Sequence, residues 1–266
     1  MNNVISKDGT SIAFDRYGSG PAVIMVTGAL GYRHFPGQKE LAEQLAQHFA
    51  VINYDRRGRG ESGDTPPYAV DREIEDIEAL IEAAGGSASL YGMSSGAILA
   101  LEAADRLSGA ISKLALYEPP LIIGGSRPPL PGNYVEQLNE AILSGRRDQA
   151  LEIFMTQALL IPDEYLTPMK QSPMWDDMLA VAHTLAYDGM IARDVMAGKP
   201  LPSGKWANVT AAATIFTGEL SEPFFHEAAG TLAHHLASAT AQVLAGQDHN
   251  VDPGAIAPPL IEFFGS

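Results

Sequence analysis

The chain has 266 residues, 46% of them hydrophobic, with no cysteine and a formal net charge of −15. Its length and apolar content fit one domain with a sizeable core, and the lack of cysteine excludes disulfides, a thiol nucleophile and thiolate metal sites. The acidity argues against a nucleic-acid partner, which needs clustered Lys and Arg; with no apolar run of membrane-spanning length and no signal-peptide h-region in Met1–Gly9, a soluble cytoplasmic protein is expected.

Strand and helix patterns alternate along the chain. Asn3–Ser6 and Ser11–Tyr17 read as strands about an Asp8-Gly9 hairpin turn. Ala22–Val26 is a wholly apolar strand, Gln38–Gln47 a helix and Val51–Tyr54 a further strand. Asp71–Ala84 places Ile74, Ile77, Leu80 and Ile81 on one helical face and stops at Gly85-Gly86. Ala88–Tyr91 reads as a buried strand, Ala97–Ala104 as a helix and Ile111–Tyr117 as the sixth strand. Helical patterns follow at Tyr134–Leu143, Asp148–Leu160, Asp163–Lys170 and Pro173–Met190. Strands return at Ala211–Phe216 and Ala241–Leu244, with helices at Pro223–Leu236 and Ile256–Phe264. Such alternation predicts an α/β protein with a mostly parallel central sheet flanked by helices. Residues 119–208 break the rhythm. A structureless loop of that length is implausible, so a helical cap inserted after the sixth strand is expected. Residues 1–118 and 209–266 would then form the core domain.

Gly92-Met93-Ser94-Ser95-Gly96 matches Gly-x-Ser-x-Gly, and its flanks give the match weight. A serine between a buried strand and a helix sits on a sharp turn, where glycines remove the Cβ atoms that would clash. The hydroxyl of Ser94 then stands clear of the sheet, and the helix start aims free N–H groups at the same spot. Both features suit a nucleophile that attacks a carbonyl. An N-cap serine is the plain structural alternative.

With these pieces in hand, the chain resembles the α/β-hydrolase fold family over nearly its whole length. Val26-Thr27-Gly28-Ala29-Leu30-Gly31 stands where that family has a His-Gly oxyanion loop, with Thr27 in place of the histidine. Tyr54-Asp55-Arg56-Arg57-Gly58-Arg59-Gly60-Glu61-Ser62 looks like its Asp-x-Arg-Gly-x-Gly-x-Ser turn. Gly92–Gly96 is the elbow, and Gly246-Gln247-Asp248-His249 looks like the late segment that presents the base. The resemblance implies a serine hydrolase with the order nucleophile, acid, histidine.

On that reading Ser94 is the nucleophile and His249 its general base. Of the seven histidines, His249 alone follows a late strand by a short loop at the sheet end where Ser94 emerges. The family's usual acid position, after the seventh strand, is held here by Ser221. Glu118, directly after the sixth strand and before Pro119, is favoured as the acid; Glu219 and Glu222 bracket the vacant position as rivals, and Asp248 adjoins the histidine. The oxyanion hole would be the backbone N–H groups of Ala29 and Ser95. The Arg-rich turn around Asp55 reads as a structural tie rather than a substrate clamp. Leu30, Met93 and Tyr117, with cap residues such as Phe154 and Trp175, suggest an apolar substrate; Leu30, Met93 and Trp175 are the expected substrate-binding residues.

The expected partner is therefore a small molecule, with neither nucleic acid nor membrane, and the oligomeric state is open. No cofactor is expected, since neither a nicotinamide nor a flavin fingerprint is present, and no metal, since His234-His235 and the carboxylates lack ligand spacing. Cleavage of a carboxylic ester or lactone is the first expectation. A C–C bond hydrolase, a cofactor-free perhydrolase or lyase, and a small-molecule receptor on the same pocket are the alternatives. Dehalogenase and epoxide-hydrolase chemistry would need an Asp where Ser94 stands.

Overall fold

A computed structural model describes residues 2–266. Met1, where the expected core segment begins, lies outside the described residues. Eight strands form one sheet in the order β1-β2-β4-β3-β5-β6-β7-β8. They are β1 (Asn2–Ile5), β2 (Ser11–Tyr17), β3 (Ala22–Val26), β4 (Ala50–Tyr54), β5 (Ala88–Met93), β6 (Ile111–Tyr117), β7 (Ala212–Gly218) and β8 (Ala239–Leu244). β1 and β2 form an antiparallel hairpin closed at Gly9, whose φ of 86° suits glycine. β2 also runs antiparallel to β4, and every later pairing is parallel.

Parallel strands buried on both faces need apolar side chains on both. β3 shows this directly. Ile24 and Val26 face one core, with helices α2 (Val70–Ala84), α3 (Ser95–Arg106) and α9 (Pro223–His235). Val23 and Met25 face the other, with α1 (Gln38–Leu45) and α10 (Pro253–Gly265). The parallel strands β3 to β8 point their carboxyl ends to one edge of the sheet, and the loops after β3, β5, β6, β7 and β8 gather there.

Between β6 and β7 lie α4 (Tyr134–Leu143), α5 (Arg147–Ile153), α6 (Asp163–Lys170), α7 (Pro173–Val181) and α8 (Leu185–Ala192). These helices share their own apolar cluster, built on Tyr134, Leu138, Leu151, Trp175, Val181 and Leu185. Two helices expected to be continuous are broken. The helix predicted from Asp148 to Leu160 ends at Ile153 and continues as a π-helical turn, Phe154–Ala158, closed by Leu159 N–H donating to Phe154 O at 3.1 Å. Thr156 diverts its hydroxyl to Glu152 O, which eases that widening. The helix predicted from Pro173 to Met190 is interrupted by a 3₁₀ turn, Ala182–Thr184, where Thr184 Oγ1 donates to Val181 O and accepts from Arg59 Nε. No helix among the described residues is long and apolar enough to cross a membrane.

Candidate active site

Ser94 sits between β5 and α3 with φ 55° and ψ −128°, a conformation that costs energy for any residue with a Cβ. Its neighbours explain how the turn fits. A Cβ on Gly96 would stand 2.3 Å from Val26 O, and one on Gly92 would stand 2.7 Å from Ala97 Cα. The elbow packs against its own helix and the end of β3, and only glycine lets it do so. Across the same gap, a Cβ on Gly28 would fall 2.9 Å from the Ser94 Cβ. The β3 loop and the elbow are therefore in van der Waals contact.

Among the described residues the non-glycine positions with positive φ are Leu30, Ser94, Glu118, Leu160 and Trp206. Ser94 and Glu118 directly follow β5 and β6, and Leu30 lies in the loop after β3. Strain of this kind persists where surrounding contacts over-determine it. Glu118 illustrates this. It is fully buried, its N–H donates to Phe216 O at 3.0 Å, and its carboxylate meets three donors. Oε1 accepts from Gly218 N at 2.7 Å and from the Ser221 hydroxyl; Oε2 lies 2.6 Å from His249 Nδ1.

His249 follows β8 by a short loop. Tyr117 O–H donates to the Asp248 carbonyl, and Phe225 stacks on the imidazole at 4.8 Å and 14°. With Nδ1 committed to Glu118, Nε2 is the nitrogen left to exchange a proton. Ser94, Ser95, Ala29 and His249 all line one cavity of about 270 Å³. Its remaining wall is largely apolar: Pro120, Leu130, Tyr134, Phe154, Ala158, Ala192, Met196, Phe224 and Phe225. The volume is near the lower end for small-molecule pockets.

Charged groups in this wall are paired. Arg127 is buried, donates to both Glu222 oxygens at 2.9 and 3.0 Å, and lies 4.4 Å from the centre of the Phe224 ring. Burial pulls its guanidinium below the ordinary value, against the pull of Glu222. Asp188, on α8, accepts from Ser95 Oγ, Arg56 Nη1 and Arg59 Nη2. Burial alone would raise its carboxyl, but Arg59 and Arg56 hold it below the ordinary value.

A model of the alpha/beta hydrolase family matches residues 23–258. The chain belongs to that family. An alpha/beta hydrolase from Sphaerobacter thermophilus DSM 20745 is 48% identical and superposes with a TM-score of 0.90 over 99% of this chain and 100% of that one. An enol-lactonase from Burkholderia xenovorans LB400 shares the fold at 19% identity, with a TM-score of 0.69 and 100% coverage of both chains. The uncharacterized hydrolase YraK of Bacillus subtilis (strain 168) is 26% identical over 171 residues, 61% of this chain and 59% of that protein. The matched stretch thus spans under two thirds of that curated relative's length.

Within this alpha/beta hydrolase the expected substrate-binding side chains need correction. Leu30, Met93 and Trp175 are not among the residues that line the cavity. Leu30 and Trp175 are buried in the apolar cluster of the inserted helices, and Met93 packs against the cluster under α1 and α10. Tyr117 is likewise wholly buried, its hydroxyl committed to Asp248. Of the aromatic residues expected in the insertion, Phe154 does reach the cavity. The rival acids are engaged elsewhere: Glu222 pairs with Arg127, and Glu219 is exposed and accepts from Gly246 N at 2.8 Å. The Arg-rich turn is a structural tie. Arg56 bonds Glu73 and Asp188, and Arg57 bonds Asp76 and Asp8.

Two hydrogen-bonding roles were not legible in the sequence. Ser221 fills the vacant acid position, and its hydroxyl supports Glu118 from there. Asp188 is a lone carboxylate in the apolar stretch Leu185–Ala192, a mismatch that marks a buried charge with a partner.

Proposed function

We propose that this alpha/beta hydrolase cleaves a carboxylic ester or lactone of a small, largely apolar substrate through an acyl-enzyme. The observation that carries the reading is the 2.6 Å contact between buried Glu118 and His249, with His249 and Ser94 lining one cavity. A buried carboxylate on Nδ1 fixes the tautomer in which Nε2 accepts a proton, and it stabilises the imidazolium that results. Ser94 Oγ attacks the carbonyl carbon as His249 takes its proton. The oxyanion that forms is held by the N–H groups of Ala29 and Ser95. His249 then protonates the leaving alkoxide, and water, deprotonated by the same imidazole, releases the acid. With a lactone the alcohol stays attached to the acyl group. Residues 119–208 act as a cap: Leu130, Tyr134, Phe154, Ala192 and Met196 close the apolar wall over Ser94.

Turnover of aryl esters, lactones and a vinylogous diketone, measured side by side on the wild type and on Ser94→Ala, tests this. Hydrolysis of esters or lactones that vanishes in Ser94→Ala supports the reading. Preferential cleavage of the diketone would replace it with C–C bond hydrolysis.

A further inference from the structure

The oxyanion donors proposed above are backbone groups on two separate segments, the loop after β3 and the start of α3, and something must hold both in place. Arg59 Nη1 donates to Gly28 O at 2.6 Å and to Gly31 O at 3.0 Å. The Gly28 carbonyl belongs to the same peptide unit as the Ala29 N–H. In a trans peptide those two dipoles point in opposite directions, so a guanidinium fastened to the carbonyl fixes the direction of the N–H. It also polarises the unit, which strengthens the donor. The other end of Arg59, Nη2, donates to Asp188 Oδ2 at 2.6 Å. The second oxygen of that carboxylate, Oδ1, accepts from Ser95 Oγ at 2.8 Å. Ser95 is the residue whose N–H forms the other half of the hole. One carboxylate therefore spans the supports of both donors. Arg56 reinforces it, with Nη1 on Asp188 Oδ1 at 2.7 Å and on Thr27 O at 3.2 Å.

We propose that Asp188 and Arg59 are positioning residues for the oxyanion hole: the carboxylate on the inserted helix α8 locks Ser95 at the elbow and, through Arg59, aims the Ala29 N–H at the same point. The inference rests on the serine-hydrolase reading. It ties the hole to the insertion, because displacing α8 would release both donors. It also gives the two buried charges a task that neutral packing could not perform. A carboxylate beside the hole would oppose an oxyanion unless two arginines neutralised it, and both are present.

The test uses Ser95→Ala, which deletes one buried hydroxyl, with Asp188→Asn and Arg59→Lys. Each is read for kcat, KM and the affinity of two inhibitors of equal size: a trifluoromethyl ketone, which forms an oxyanion on Ser94, and the matching methyl ketone, which binds without reacting. Loss of a donor outright lowers kcat 10²–10³-fold, and misaiming one is expected to cost about tenfold. The proposal predicts that all variants that fold lose at least tenfold in kcat and in trifluoromethyl ketone affinity, with KM and methyl ketone affinity changed by less than about threefold. A smaller loss in Ser95→Ala, or losses shared equally by KM and the methyl ketone, would overturn it. A wild-type chain that neither turns over an ester nor takes a fluorophosphonate on Ser94 would instead overturn the serine-hydrolase reading, and this inference with it.

Discussion

Glu118 Oε2 and His249 Nδ1 lie 2.6 Å apart although 131 residues separate them in the chain. The contact exists because β6 and β8 flank β7 in a parallel sheet, so the residues just past their carboxyl ends meet over one edge. Glu118→Gln should keep the fold, since an amide oxygen can still accept from Gly218 N and Ser221. It should lower kcat by about four orders of magnitude, as an amide does in place of the acid in a serine–histidine–aspartate site. Steady-state kinetics with a thermal melt checks this. If Glu219→Gln or Glu222→Gln has that effect and Glu118→Gln does not, the acid is misassigned.

The elbow tolerates no added methyl group. Gly96→Ala would push a Cβ to 2.3 Å from Val26 O and 2.4 Å from Thr27 O, both backbone atoms that cannot swing aside. Overpacking of this kind costs about 1–3 kcal/mol. A lower Tm together with lost activity is expected, and a variant with unchanged melting and kcat would contradict the packing described.

Cavity volume should set acyl-chain tolerance. Ala192, on α8, is buried and lines the cavity of about 270 Å³. Ala192→Leu should lower kcat/KM for a butyl or longer acyl ester by about tenfold relative to an acetyl ester, in line with 1–3 kcal/mol per methylene in an apolar pocket. A chain-length profile of both proteins measures it. Parallel loss on all esters would show that Ala192 does not bound the acyl site.

His183 offers a pH dependence of stability. Burial, aided by Arg147, holds its pKa below the ordinary value of 6.5; Asp64 opposes this. Its Nδ1 is buried without a hydrogen-bond partner among the described residues. The folded value lies below the unfolded one, so between them the unfolded chain binds more protons. This group's contribution is full above pH 6.5 and declines as pH falls below it. The Tm of the wild type should drop between pH 7.5 and 5.5, and His183→Gln should drop less. Equal drops would assign the sensitivity to other groups.

The sheet was legible because buried parallel strands are short apolar runs between glycine-rich turns; Ala22–Val26 and Ile111–Tyr117 have the bounds their sequences predict. The sharp turn at Ser94 was legible because a Gly-x-Ser-x-Gly turn needs glycines for local steric reasons. The insertion was harder to read. Its helices change geometry at Phe154 and Ala182, where the Thr156 and Thr184 hydroxyls bond carbonyls of the preceding turn, a feature that apolar periodicity does not report. Leu30 and Trp175 looked like pocket residues because they are apolar and near the site, but the inserted helices need a core of their own and consume them. Asp188 was missed because its partners, Arg56 and Arg59, are more than a hundred residues away.

The nucleophile is the claim on which the mechanism stands. Incubation of the folded protein with a fluorophosphonate, followed by peptide mass spectrometry, tests it most directly. One phosphonyl group on Ser94, absent in Ser94→Ala and retained in Ser95→Ala, is the predicted result. An unmodified Ser94 in protein that hydrolyses esters, or modification of Ser95 in its place, would contradict it.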